Sequence, residues 1–227
     1  MDNDDLELPE YLKNRIDKEF RKEVAATSFL PLYELSLFRW HIEETEALYE
    51  KMRKTELAYI GQQSNLNVEV INDSGMIAID YFYKRIRYSD VIYLVSLLES
   101  ALEAACSRLK AVLPEDSVLF EVRNLAGQKW ERTRLYLEAY GRFARPKRLW
   151  KPIIRLINLR NAIVHDNGST LGLNRQRRRA IEKCDGVRVS DGQISVTAEY
   201  VQCAVNDLEA LLSYYQDNVA TAIERIE

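Results

Sequence analysis

At 227 residues the chain has room for one large domain, or for one domain with a helical extension. Its 47% hydrophobic and 30% charged content is that of an ordinary soluble globular protein, and only 8 glycines and 5 prolines argue against a long flexible linker and for a mostly helical chain. The formal charge of −3 argues against a dedicated nucleic-acid coat.

Several other classes recede as well. No stretch is apolar for the roughly 18 residues that a membrane span needs. The richest run, Val91 to Cys106, is broken by Ser96, Glu99, Ser100 and Glu103. The start, MDNDDLELPE, is acidic where a secretory signal is basic and apolar, so a cytoplasmic protein with no membrane contact is expected. Cys106, Cys184 and Cys203 are odd in number and show no CxxC spacing, which reads as buried or idle thiols. Two histidines, His41 and His165, are too few for a Cys/His zinc site, and neither metal nor cofactor is expected.

In chain order, Pro9 suits the first turn of a short helix reaching about Glu23. After Pro31 comes a long helix to about Gln62, carried by Leu32, Leu35, Leu37, Phe38, Trp40, His41, Leu48, Tyr49 and Met52. Asn65 to Tyr83 changes character: Val68 and Val70 alternate with polar residues, and Asp73-Ser74-Gly75 signals a turn. Met76 to Tyr83 is rich in β-branched and aromatic residues. This stretch reads as a small hairpin, or as the lead-in to a helix. Ser89-Asp90 is a good N-cap pair for a core helix that reaches about Val112 before Pro114 stops it. Two helices follow, near Asp116 to Asn124 and Ala126 to Tyr140.

Pro146 and Pro152 place the next helix start near Lys147 to Trp150, because proline is tolerated only near the first turn. Asp166-Asn167-Gly168 ends that helix. Val187 to Val196 is a hairpin turning on Asp191-Gly192, and Thr197 caps a last helix to about Ile223. The fold expected is all-α, with one or two small β-hairpins.

The charge is unevenly spread. From Arg142 to Arg179 there are eleven basic residues and a single acid, Asp166, so this window is +10 and the rest of the chain −13. A field of this kind can focus on a polyanion while the whole molecule stays acidic, although a solvated helical face is the commoner reason for such a run.

Inside the window, RLWKPIIRLINLRNAIVHDNG carries Ile153, Leu156, Ile157, Ile163 and Val164 as an apolar side, with Arg160 at helical spacing among them. An arginine on an apolar stripe is costly unless it is paired, or faces an anion or a subunit boundary. Asn158, Asn161 and His165 fall at i, i+3 and i+7, a second polar line. Blander explanations exist for each residue. His165 suits the negative end of a helix dipole, Asn161 could be a satisfied core amide, and Arg160 could pair with Glu99 or Glu103.

LRNAIVH resembles the signature of the HEPN superfamily, an arginine and a histidine four to six residues apart with a polar residue often after the arginine. The order SDVIYLVSLLESALEAAC, LAGQKWERTRLYLEAYG, motif, hairpin and last helix is similar to bacterial HEPN proteins over roughly Tyr88 to Glu227. The division that follows is 1–87 as an N-terminal helical elaboration with a hairpin, and 88–227 as a helical bundle of HEPN type carrying the motif at 160–165.

The resemblance implies metal-independent cleavage of RNA by a homodimer whose paired motif helices form a composite site. His165 would be the general acid or base, Arg160 would hold the scissile phosphate, and Asn161 would orient the histidine or donate to the phosphate. Arg155, Arg175, Arg177, Arg178 and Arg179 would grip the RNA backbone. The setting implied is bacterial defence or the toxin of a toxin–antitoxin pair, with an antitoxin or other regulatory protein as partner. Inactive members of the superfamily serve as binding or assembly modules, and an RNA-binding helical protein that does not cleave is a third reading. Where some HEPN toxins carry a tyrosine two residues after the histidine, this chain has Asn167.

Overall fold

The computed structural model describes residues 10–64, 74–114 and 120–225, and over them the chain is an all-α bundle with one small antiparallel hairpin. The helices are α1 (Glu10–Ala26), α2 (Leu32–Ser64), α3 (Ser74–Val112), α4 (Lys129–Gly141), α5 (Lys147–Asp166), α6 (Arg175–Glu182) and α7 (Ala198–Glu224). Strands β1 (Val187–Ser190) and β2 (Gln193–Val196) lie between α6 and α7.

The chain divides into two compact units. One comprises Met1–Leu30, Leu98–Pro146 and Leu212–Glu227, the other Pro31–Leu97 and Lys147–Leu211, so α3 and α7 each supply residues to both. The first unit buries Leu102, Leu109, Trp130, Tyr136, Leu137, Tyr215 and Ile223. In it Arg108 donates to the carbonyls of Thr27 and Ser28, and Phe29 N–H donates to Gln216 (2.9 Å). Helix α4 starts with a reciprocal cap: Gln128 takes the N-cap place and its own N–H donates to Glu131 Oε2 (2.8 Å). The second unit buries Leu35, Phe38, Ile42, Val91, Leu94, Trp150, Ile153, Leu156, Val201 and Leu208, and it contains the whole motif helix α5.

Helices α2 and α5, the end of α3 at Val112 and the span of α7 agree with the sequence pattern to within two residues or so. The hairpin does as well. Val187 pairs with Val196 and Val189 with Ile194, which puts the apolar residues on one face. Asp191 (φ 49°) and Gly192 (φ 74°) both take positive φ, as a two-residue hairpin turn of the right twist requires.

Of the two readings of Met76–Tyr83, hairpin or lead-in to a helix, the helix is the one found, because Met76, Ile79, Tyr83 and Arg87 recur at helical spacing on the covered side. The remainder of that stretch, including Val68 and Val70, lies outside the described residues. Two expectations fail on described residues. Ser89-Asp90 is no N-cap. It sits in mid-helix, where Asp90 faces a buried arginine instead. The helix expected from Asp116 to Asn124 is, in its described part, a single 3-10 turn at Val122–Asn124. Conversely, α6 was not anticipated. Its start is marked by Asn174, whose side chain accepts from Arg177 N–H (2.9 Å), and its apolar contribution is little more than the buried Ile181.

Candidate functional site

Helix α5 is strongly two-sided. Trp150, Ile153, Leu156, Ile157, Leu159, Ala162 and Ile163 are buried. At about 100° per residue, Lys147, Lys151, Ile154, Asn158, Asn161 and His165 share the opposite side. His165 is exposed, and Asn158 and Asn161 are half-buried. Arg160 belongs to the buried arc: five residues before His165, it points about 140° away around the axis. The two signature side chains of one copy therefore do not share a face.

The expected apolar stripe loses one member here. Val164 is 45% exposed, so the side of α5 that bears Arg160 is open at its C-terminal end. Arg160 is half-buried, its Nη1 donates to Asn161 Oδ1 (3.1 Å), and its buried Nε has no hydrogen-bond partner among the described residues. Among the described residues Arg160 forms no ion pair with Glu99 or Glu103, and Glu103 bonds Lys129 instead (3.0 Å). Asn161 thus joins the two sides of the helix: it lies on His165's line, and its Oδ1 accepts from Arg160.

The end of α5 is tied down firmly. Gly168 N–H donates to Ala162 O (3.0 Å), and Gly168 O accepts from Ile194 N–H of β2 (2.8 Å). Thr170 N–H donates to Gly192 O (2.7 Å). From α3, Tyr88 Oη donates to Ile194 O (2.6 Å), and Arg85 donates to Asn167 Oδ1 (2.7 Å). Burial pushes the Tyr88 phenol up to about 12. Gly168 has φ +73°, and a Cβ there would come within 1.9 Å of Tyr88 Oη, so glycine is required both by the turn and by the close approach of the ring. This clamp fixes the helical turn that presents His165.

Beside the histidine's line lies a strongly basic recess. Lys147, Lys151, Ile154, Arg155 and Asn158 of α5 face Asn174, Gln176, Arg177 and Ala180 across a cavity of about 670 Å³. An adjoining cavity of about 490 Å³ is lined by Arg155, Arg175, Gln176, Arg179, Ala180 and Lys183. Among the described residues no carboxylate lines either. The N-terminal end of α6 adds the positive end of its dipole to these cations. Crowding like charges in this way is unfavourable alone and favourable around a polyanion. Asn158 links the recess to Asn161 and His165, being on the same line of the same helix.

Of the backbone-binding residues expected from sequence, Arg155, Arg175, Arg177 and Arg179 line these cavities. Arg178 does not; it bonds Glu182 (2.8 Å) one turn on. Lys147, Lys151, Asn174 and Gln176 were missed. The two lysines were legible, since they fall at helical spacing from Asn158; the other two depended on α6. Arg155 also borders a smaller cleft of about 160 Å³ with Cys184, Asp185, Tyr200, Cys203 and Asp207. Burial raises the Cys184 thiol, the Tyr200 phenol and the Asp207 carboxyl above their ordinary values. Cys106 and Cys184 are buried free thiols, and Cys203 is an exposed one.

A second polar cluster was not foreseen. Arg87 is fully buried, donates to Asp90 Oδ2 (2.8 Å) and Glu46 Oε2 (2.9 Å), and lies over the Tyr83 ring (4.8 Å). His41 Nε2 contacts Asp90 Oδ1 (3.1 Å). Its closed ion pairs make it a fastener between α2 and α3. Among the described residues no three His, Cys, Asp or Glu side chains are grouped to hold a metal ion, and no helix is long and apolar enough to cross a membrane. Comparison with protein-family models, with curated proteins and with solved structures finds no match to this chain.

Proposed function

We propose that the protein is a metal-independent endoribonuclease of HEPN type, acting in bacterial defence or as the toxin of a toxin–antitoxin pair. The observation that carries this reading is the basic recess between α5 and α6, lined by no acid among the described residues, whose lining includes Asn158 on the helix line that continues to Asn161 and His165. A phosphodiester chain is the ligand such a recess suits. An exposed imidazole farther along that line can give or take a proton.

The chemistry assigned is transfer from the ribose 2′-oxygen to phosphorus. The 2′-hydroxyl gives its proton to a base as its oxygen bonds to phosphorus. The bond from phosphorus to the 5′-oxygen breaks, and that oxygen takes up a proton. The products are a 2′,3′-cyclic phosphate and a 5′-hydroxyl, which confines the reaction to RNA. His165 serves as the proton donor or acceptor. Arg160 spreads its guanidinium over the phosphate and offsets charge that grows in the transition state, while Asn161 fixes its plane. Because Arg160 and His165 point apart on one helix, the complete site is assigned to two copies, with motif helices facing each other.

Incubation with transfer RNA or total RNA in EDTA tests this. Cleavage that persists in the chelator and disappears in His165→Ala and Arg160→Ala is expected. A second reading, an RNA-binding helical protein that does not cleave, is favoured by the divergence of Arg160 and His165 within one copy. It predicts intact RNA and salt-sensitive binding.

A further inference from the structure

Helix α2 turns its inner side, Leu35, Phe38 and Ile42, into the core of its unit. Its outer side is apolar too. Tyr33, Leu37, Trp40, Leu48, Met52 and Tyr59 fall within one face of the helix at heptad-like intervals, and all are exposed, Trp40 by 60% and Leu48 by 55%. The face runs for about 39 Å at 1.5 Å per residue. Scattered apolar residues on a surface need no explanation, but a continuous seam of this length does.

The charges on this seam say what covers it. Glu43 and Glu44 lie on the N-terminal side of Leu48, and Lys51 and Lys54 on its C-terminal side. All four are exposed, and none forms an ion pair among the described residues. The surface is therefore complementary to itself when turned end over end. We propose that α2 packs antiparallel against α2 of a second copy, about a two-fold axis beside Leu48. That axis sets Glu44 over Lys51 of the other copy twice over, with Glu43 near Lys54. Trp40 falls on Thr55, Leu37 falls on the Ala58–Tyr59 turn, and the two Leu48 side chains meet at the centre. A parallel pair in register would instead oppose Glu44 to Glu44 and Lys51 to Lys51. A two-fold contact of this kind uses the same patch on both copies and closes on itself. It is separate from the surface of α5 that carries Arg160 and His165, and it gives the N-terminal helices a role of their own.

The test is the molar mass of the full chain by light scattering at micromolar concentration, with helicity checked by circular dichroism. Glu44→Lys and Lys51→Glu each place like charges across the seam and halve the wild-type mass, as does Leu48→Asp. The combined Glu44→Lys, Lys51→Glu chain restores the opposed pairs and regains the wild-type mass. Single variants that keep the wild-type mass, or a double variant that stays at half of it, overturn the proposal.

Discussion

Two arginines on apolar faces meet different fates. Arg87 is fully buried and ion-paired with Asp90 and Glu46, whereas Arg160 is half-buried and bonds only Asn161 among the described residues; the buried Nε of each is without a hydrogen-bond partner there. The first is a structural charge and the second an available one. Asp90→Ala should therefore destabilise the fold by about 3–5 kcal/mol, the usual cost of leaving a buried partner uncompensated, measured by chemical denaturation. His165→Ala should leave stability within about 0.5 kcal/mol, as for an exposed position, and lower cleavage by roughly 10²–10⁴-fold. Tyr88 gives a pH signature. Its phenol, raised by burial to about 12 from an ordinary 10, favours the neutral form in the folded state. Its stabilisation is whole below pH 10, declines as pH rises and is lost above about 12. Alkaline unfolding of Tyr88→Phe should lack this part of the pH dependence, and the variant should be weaker at neutral pH by about 1–3 kcal/mol through loss of the bond to Ile194 O.

At the scale of elements, the sequence is most legible where one signal dominates. The Asp191-Gly192 turn, the two-sided pattern of α5 and the proline after α3 each act locally, and each element lies where they place it. It is least legible where two local signals compete. Ser89-Asp90 carries cap chemistry, yet Asp90 is recruited to Arg87 three residues back, a need that appears only once α2 brings Glu46 to the same spot. Met76–Tyr83 carries strand-like residues, but helical spacing of its half-buried side chains prevails. Helix α6 was hidden because its apolar commitment is slight and its arginines read only as charge. This matters for the site, since half of the basic recess belongs to it. Replacing Arg175, Arg177 and Arg179 together by glutamate should weaken RNA binding and reduce its salt slope by roughly two, at about 0.7 per lost contact on a single strand. Arg178→Glu should change binding less than any one of these, because that side chain is already drawn to Glu182. Fluorescence anisotropy across a salt series reads both effects.

For the whole molecule, an acidic chain carries a +10 window, and α5 with α6 gathers much of that window around one recess. The positive charge is local, which is how a net charge of −3 coexists with a basic recess. With Arg160 and His165 pointing apart on one helix, the proposed chemistry depends on the pairing of two copies. Specific activity should fall on dilution as the paired motif helices separate, and a constant specific activity across the dissociation range would set that pairing aside. The central claim is cleavage at the α5 site by the 2′-oxygen. A DNA oligonucleotide with one ribonucleotide, incubated in EDTA and read by mass spectrometry, tests it most directly. A single cut after the ribonucleotide, a 2′,3′-cyclic phosphate end, and no product with His165→Ala are expected. An uncut oligonucleotide under conditions where it binds, or equal cutting by His165→Ala, would contradict it.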